Sequence, residues 1–550
     1  MERLAKRMGG LEYIWDNHMT SGGPTRQLVI AGKEVALEID FACNVVTKVA
    51  ISFPESPVIV TRHTKLAEDI LFKDLELKAY ENPLTKTLDK FAANFERLVA
   101  LDKLSKRISC QEAIAGIYES LERLHNWDVE RLLESDEMIG KDRDFVSRTA
   151  LCTRSGRPAM HSRGRLGMSL DYWQDKRRLP TARKDESTWA LLVECAYINN
   201  LSSLNGMVYP TLRVSEEWIS KNIAKPSAED IFSGMVPGHQ SELDWLEPQV
   251  IIFPSGNVGK PEDIDEHDWQ KFTEVMFVAK LDPPLVVPQS VAQQIFLKVD
   301  ANMDGYHSVS YDSLLFPRGP EEAFDGEKRM LERETIVPVF KGGKKSTQVH
   351  HNILLVDKMD FGRLLTEIPF SHPRQLIEVV PRLRQYAFIA RLLNKSFGPN
   401  SKPVANPKFN KNKRSKEVEY AKFMSSSSLS GGSEDGRIDV RLETQPVPRI
   451  TVIFRLNHRR ASVQAVFEVK LDGVVEIASQ NILGSHSNAT DEGKRKLGVK
   501  DLERMLEITE NIGIWVEFVR MRLRCPRISP LALDARGSEC ESTLGMDWRF

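Results

Sequence analysis

The stretch VDANMDGYHSVSYDSLLF, residues 299–316, carries oxygen ligands at the spacing of a calcium loop. Asp300, Asn302 and Asp304 occupy the first, third and fifth places of an EF-hand, Gly305 the sixth and Ser308 the ninth. Carboxylate and amide oxygens so placed can wrap a hard cation around a sharp glycine turn. The twelfth place should be a glutamate that gives both oxygens, and it is Tyr311; Asp312 stands one place late on a shorter side chain. Pro288 allows only a short entering helix, and Pro317, Gly319 and Pro320 stop an exiting one. The plainer reading is a turn at Gly305 with SVSYDSLLF continuing as extended chain, and no metal site is assigned. A calcium-responsive regulatory protein using 300–311 stays as the alternative function. It would require saturable calcium heat that an Asp300→Ala, Asp304→Ala double substitution removes.

Other reactive patterns fail more plainly. GGKKST at 342–347 has Lys344 where a phosphate-binding loop needs glycine. His350 and His351 are adjacent, so a strand would point them to opposite faces. No glycine-rich dinucleotide turn, zinc-protease helix or nucleophile elbow is present. Six cysteines (Cys43, Cys110, Cys152, Cys195, Cys525, Cys540) lie far apart, which argues against a zinc cluster or a disulfide framework and fits a reducing compartment. No catalytic residue and no cofactor are assigned, and a non-enzymatic protein is expected.

A local concentration of positive charge is RTALCTRSGRPAMHSRGRLGMSLDYWQDKRR. There Arg154, Arg157, Arg163, Arg165, Lys176, Arg177 and Arg178 surround the aromatic pair Tyr172 and Trp173. A solvated, partly ordered loop is the bland reading. Arginine beside aromatics is also the composition of interface hot spots, so a protein-interaction patch is kept as the functional one.

The elements around these residues come from periodicity. The opening stretch reads as helical. Val35, Leu37, Ile39 and Phe41 alternate, then Val45, Thr47, Val49, Ile51 and Phe53, which predicts a hairpin with one buried face. Leu84, Leu88, Phe91, Phe95 and Leu98 stripe a helix, and Ser109 with Glu112 opens a second one carrying Ile114, Ile117, Leu121 and Leu124 inward. GMSLDYW can form a short strand. ESTWALLVECAYINNL reads as helix, PQVIIF and HHNILLVDKM as strands, and HPRQLIEVVPRLRQYAFIARLL as helix interrupted at Pro381. Residues 398–436 are Lys-, Ser-, Asn- and Gly-rich and read as a mobile linker, in which KNKRSK has the composition of a nuclear-import patch. Ile450, Val452, Phe454 and Leu456, then Val463, Ala465, Phe467, Val469 and Leu471, give the cleanest hairpin, and one or two helices close the chain.

Strands and helices segregate along the sequence, so the expected class is α+β. The expected organisation is an N-terminal hairpin and helical region (1–140), a basic irregular segment with a short strand (141–184), and a mixed middle region (185–397). The linker (398–436) and a C-terminal hairpin with helices (437–550) complete it. A net charge of −1 over 550 residues gives no global attraction to nucleic acid or anionic lipid, so DNA affinity is expected to be weak and salt-sensitive. No run approaches the ~20 apolar residues of a membrane span.

Four phrases add a resemblance: LAKRMGGLEYIW, VALEIDFACNVVTKVAISFPES, QEAIAGIYESLERLHNWDVERL and RGRLGMSLDYWQDKR, spread over residues 4–178. In wording and order they resemble the fungal form of subunit 1 of the Mediator complex, the coactivator assembly that joins regulators to RNA polymerase II. The resemblance implies a nuclear, non-enzymatic subunit of the middle module, docking near subunits 4 and 9 and contacting transcription activators. Animal members carry L-x-x-L-L boxes for nuclear receptors. Here FGRLL (361–365) and IARLL (389–393) lack the first leucine, so receptor binding does not carry over.

Overall fold

The computed structural model describes residues 1–20, 23–54, 56–78, 81–82, 85–105, 109–175, 177, 187–197, 215–225, 242–248, 275–301, 309–317, 330–341, 344–356, 360–398, 402–403, 436–456, 462–483 and 497–524. They form two compact units, Met1–Tyr306 with Leu364–Arg384, and His307–Arg363 with Gln385–Phe550.

The first unit opens with α1 (Glu2–Met8), which Gly9 and Gly10 end by taking positive φ of 67° and 74°. An antiparallel meander follows: β1 (Glu12–Thr20), β2 (Gly23–Ala31), β3 (Ala36–Ala42) and β4 (Val45–Ser52). Only α1 is helical in the opening stretch; β1 and β2 lie outside the sequence expectation, because Glu12, Asp16 and Asn17 dilute the alternation of β1. Registered rows run across the sheet. Trp15, Leu28, Ile39 and Val49 form one and Tyr13, Ile30, Leu37 and Ile51 the next, all on the inner face. A bulge at Asp40/Phe41 sets Val46 opposite Phe41, so Thr47 and Val45 do not extend the inner row as the alternation predicts.

The helices α2 (Val58–Thr61), α3 (Thr64–Leu75), α4 (Asp89–Leu104) and α5 (Cys110–Leu133) come next. Phe91, Phe95 and Leu98 of α4 enter the core under the meander as their spacing predicts; Leu88 is the residue before the helix, and Leu84 lies outside the described residues. Ser109 caps α5, its hydroxyl accepting from the Glu112 amide at 3.3 Å. Buried Asp102 on α4 accepts from the Lys33 and Glu34 amides at 3.0 and 2.6 Å and so fixes the β2–β3 turn. A Cβ at Gly32 would sit inside that carboxylate, 2.4 Å from its oxygen.

After α6 (Arg143–Thr153) come β5 (Arg157–Met160), β6 (Met168–Gln174), β7 (Thr188–Tyr197), β8 (Ile219–Ala224), β9 (Leu243–Trp245), β10 (Val275–Pro288) and α7 (Gln289–Lys298). The segment expected to be basic and irregular thus contains a helix and a hairpin. ESTWALLVECAYINNL holds a strand rather than the expected helix. In β7 the consecutive residues Ala190, Leu191, Leu192 and Val193 are all buried, between β6 and β10. A strand covered on both faces loses its alternation and reads like a buried helix.

In the second unit, α8 (Tyr311–Leu315) stands where extended chain is expected. Ser310 and Ser313 bond side chain to side chain at 2.7 Å across its first turn, and Tyr311 is buried. Next come β11 (Met330–Lys341) and β12 (Lys344–Val356). The chain then returns to the first unit from Leu364 to Arg384, with β13 (Gly362–Phe370) pairing with β10 and α9 (Pro373–Phe397) running through Arg384 before its later residues rejoin the second unit. Pro381 lies inside α9 without interrupting it, flanked by wholly buried Val379, Val380 and Leu383. PQVIIF, except its proline, and the linker, apart from β14 (Lys402–Pro403) and its end residues, lie outside the described residues. β15 (Arg437–Glu443), β16 (Arg449–Arg455), β17 (Ser462–Val469) and β18 (Val475–Gln480) complete a seven-stranded sheet in the order β14-β11-β12-β15-β16-β17-β18. The β16–β17 hairpin pairs Ile450 with Phe467, Val452 with Ala465 and Phe454 with Val463, as the alternation requires. Two helices close the chain, α10 (Val499–Thr509) and α11 (Ile512–Arg524). Trp515 stands edge-on to Phe454 and Phe467 and donates its indole N–H to the Leu502 carbonyl at 3.0 Å. The architecture is α+β, as expected.

In the first unit, wholly buried Arg384 donates to three carbonyls. Nε reaches Tyr172 O at 2.9 Å, and Nη2 reaches Leu151 O at 2.7 Å and Arg154 O at 2.6 Å. Leu151 and Arg154 end α6, where helix carbonyls lack intrahelical partners and carry partial negative charge. Replacing Arg384 with alanine strands these acceptors. Arg384→Ala is expected to cost roughly 3–5 kcal/mol in urea denaturation and to speed amide exchange in β6, whereas exposed Arg154→Ala changes stability by less than about 0.5 kcal/mol. Equal stabilities for the two variants would disprove the role of Arg384.

Candidate functional site

The arginines of 154–165 are placed by polar side chains reaching in from α4 and α5. His125 and Asp128, three residues apart on α5, clasp the turn after α6. The Asp128 carboxylate accepts from the Ser155 amide at 3.1 Å and from its hydroxyl. His125 Nδ1 donates to the Gly156 carbonyl at 2.7 Å, which leaves Nε2 to accept from Ser147 Oγ at 3.1 Å. Gly156 takes φ +89°, a conformation that favours glycine. Buried Asn94 on α4 holds the β5–β6 loop, donating to Gly164 O at 3.0 Å and accepting from Leu166 N at 3.0 Å.

On this frame the positive charges meet carboxylates. Arg157 and Arg163 share buried Asp171, at 3.2 and 2.8 Å. Arg165 lies 3.3 Å from Asp282 and 3.7 Å from Glu194, and Glu194 also accepts from Lys280 at 2.6 Å. Arg154 is exposed at the residue that follows α6. Tyr172 and Trp173 are wholly buried, so they support the surface rather than form it. Arg177 is buried too, its guanidinium 4.4 Å from the Trp173 ring centroid. Arg178 and Lys176 lie outside the described residues. The structure therefore brings Arg157 and Arg163 together on Asp171, pairs Arg165 with Asp282 and Glu194, leaves Arg154 exposed, and buries Tyr172, Trp173 and Arg177. Sequence reasoning missed Asp171, Glu194, Asp282 and Asn94. Asp171 has a local signal, a lone acid inside an apolar strand; the others come from distant elements and have none.

The remaining motifs resolve into structure. Asn302 to Ser308 lie outside the described residues; at the loop's edges Asp300 accepts from Gln375 Nε2 at 3.0 Å, and Tyr311 at the twelfth place starts α8. Lys344 to Thr347 belong to β12. His350 and His351 do point apart. His350 is buried with Nε2 2.9 Å from Glu517, and half-exposed His351 lies 3.3 Å from Glu334. Arg520 joins the same Glu517 oxygen at 2.7 Å. Burial alone would raise the Glu517 carboxyl, but the His350 and Arg520 hydrogen bonds and the Arg520 charge hold it below its ordinary value. IARLL is helical in α9, with Ile389, Leu392 and Leu393 buried, and FGRLL runs into β13. Among the described residues no group of His, Cys, Asp or Glu is placed to hold a metal ion, and no helix is long and apolar enough to cross a membrane.

A family model described as Mediator of RNA polymerase II transcription subunit 1 matches residues 1–398 of the 550. The chain belongs to the Mediator subunit 1 family. A search of the curated proteins finds no match. As a family member the chain is a non-catalytic nuclear subunit of Mediator, works with other Mediator subunits, and transmits signals to RNA polymerase II. The Mediator match ends at 398, yet the fold does not. β12 pairs in parallel with β15, from His351↔Arg437 to Val356↔Leu442, so strands on both sides of the boundary build one sheet.

Two outcomes follow. Burial, with help from the Arg157 charge and against the Gly156 carbonyl, lowers the His125 pKa to about 4; burial and His63 lower half-buried His161 likewise. A histidine held below its unfolded value near 6.5 gives stability that is complete above that pH and lost as pH falls towards 4. Urea midpoints should drop between pH 7 and pH 5, with His125 contributing about 1–2 kcal/mol and His161 less, and His125→Gln should flatten the dependence. Truncation after residue 398 removes β15 to β18 and α11, leaving the β12 edge unpaired and Leu354 and Val356 uncovered. The truncated chain should aggregate on size-exclusion chromatography where the full chain elutes as a discrete species.

Proposed function

We propose that the chain is a fungal-type Mediator subunit 1 of the middle module, seated beside subunits 4 and 9, that carries contacts from transcription activators towards RNA polymerase II. The observation that carries this reading is the family match over 1–398, to which the four phrases within 4–178 add the fungal likeness. One of those phrases, RGRLGMSLDYWQDKR, supplies Arg163, Arg165 and the strand beneath them. The arginine surface of Arg154, Arg157, Arg163 and Arg165 is the docking site in this reading, and an acidic segment of a neighbouring subunit is its occupant. Guanidinium forks pair with carboxylates in fixed geometry, so such a segment would compete with Asp282 and Glu194 for Arg165. Ion exchange of this kind gives orientation and on-rate more than raw affinity.

The test is affinity purification of the tagged full chain from nuclear extract, followed by mass spectrometry. Subunits 4 and 9 and RNA polymerase II should be recovered in near-stoichiometric amounts. The Arg154→Ser, Arg165→Ser variant should melt like the parent but lose several-fold of its recovered middle-module subunits. Recovery of Mediator without enrichment of subunits 4 and 9 would refute the seating, and unchanged recovery by the variant would refute the arginine surface.

A further inference from the structure

Sheet edges in this protein are treated in two different ways. The edge of β4 is closed by α3, where the Glu68 carboxylate accepts from the Ile51 amide at 3.1 Å. The edge of β18 is closed by α10, where Glu507 accepts from Val475 N at 2.9 Å and Glu503 from Ile477 N at 2.8 Å. In both cases a helical carboxylate occupies the position that an incoming strand would need. β1 is the other edge of its meander, and among the described residues no strand pairs with its outer side. It is nine residues long, pairs with β2 from Glu12↔Ala31 to Thr20↔Gly23 without a bulge, and contains neither proline nor lysine. Those are the devices that ordinarily keep an edge from pairing with another chain.

The side chains along β1 are built for a cover. Ile14 is 67% exposed on the outward face, and Trp15, the last member of a buried inner row, is 38% exposed. Trp15 is held in place by the Phe41 ring at 5.6 Å and by donation to the Glu2 carboxylate. Tyr13 lies under the Lys6 ammonium at 5.3 Å. The outward face around Ile14 is acidic. Glu12 and Asp16 flank it on β1, Val29 and Glu38 lie in its own cross-strand row, and Asp40 lies in the row of Asp16. Lys48 is the one cation in these rows.

We propose that β1 accepts an extended segment of a partner protein as a fifth strand, with lysine or arginine on the partner's outward face and apolar residues on its inward face. Backbone pairing along β1 supplies the affinity, and side chains at every second position supply the choice of partner. Inward apolar residues extend the rows that end at Tyr13 and Trp15. Outward cations meet Glu12, Asp16, Glu38 and Asp40. The same charges disfavour a second copy of this chain, because two β1 strands paired antiparallel about Ile14 would set Glu12 opposite Asp16 twice, and like charges directly opposite destabilise a sheet. This surface is separate from the arginine surface and selects the opposite charge.

The experiment is hydrogen–deuterium exchange of the full chain with a synthetic nine-residue peptide that alternates lysine and valine, against one that alternates glutamate and valine. The lysine peptide should slow exchange in residues 12–20 at least tenfold and leave β18 unchanged, and the glutamate peptide should do neither. Ile14→Lys, at an exposed position, should abolish the protection while β3 exchanges as before. No protection by the lysine peptide, or equal protection by both peptides, would overturn the proposal. Protection of 12–20 that rises with protein concentration in the absence of peptide would also overturn it, since the occupant would then be a second copy.

Discussion

Burying a guanidinium is costly, and the first unit accepts that cost at Arg384. The charge is met by carbonyl oxygens: two at the end of α6 and one on β6. The carbonyls of a helix terminus need donors as much as the buried cation needs acceptors, so each removes the other's desolvation problem. One side chain thereby fixes the exit of α6 relative to β6, and the segment between them, residues 154–167, inherits its position. Without that constraint the arginines would be carried on a loop free to choose among many geometries, and the entropy of ordering them would fall on each binding event.

The same logic recurs around that segment. Asn94, His125 and Asp128 each come from a helix interior, are buried, and bond backbone groups of a turn that lies far away in sequence. Asp102 does so for the β2–β3 turn. Polar residues on the inner face of a helix look like errors in a periodic pattern, yet here they are what orders the connections. They also explain how a protein with no catalytic role keeps so many buried polar groups: these partners serve backbone geometry.

This bears on how much the chain discloses in its sequence. Where a single face is buried, period alone places the element, as in β3 and β4, in α4 and α5 with the Ser109 cap, and in β16 and β17. Where burial is two-sided, the period is erased, and β7 passes for a helix. Where tertiary burial outweighs local preference, Tyr311 draws its neighbours into α8 and Pro381 rides inside α9. The arginine surface was legible as a cluster of like charge but not as a surface. Tyr172 and Trp173 are consecutive yet both buried because β6 is covered on both sides, and Asp282 and Glu194 reach Arg165 from strands that no local signal connects to it.

Neutrality overall and pairing in detail are two sides of one property. The chain carries 76 basic and 77 acidic residues, and at the arginine surface that balance is realised group by group, with Asp171 between two guanidiniums and Glu194 between Arg165 and Lys280. A cation already paired at the surface gives little to a phosphate backbone, which rewards unneutralised charge in dense array. It still presents a directional fork to a carboxylate that can replace its present partner, because exposed ion pairs are worth only about 0–1 kcal/mol and exchange readily. Recognition then depends on the shape and spacing of the incoming acids and not on their number. That is the property a subunit needs if it is to meet particular neighbours inside a large assembly while ignoring the nucleic acid around it.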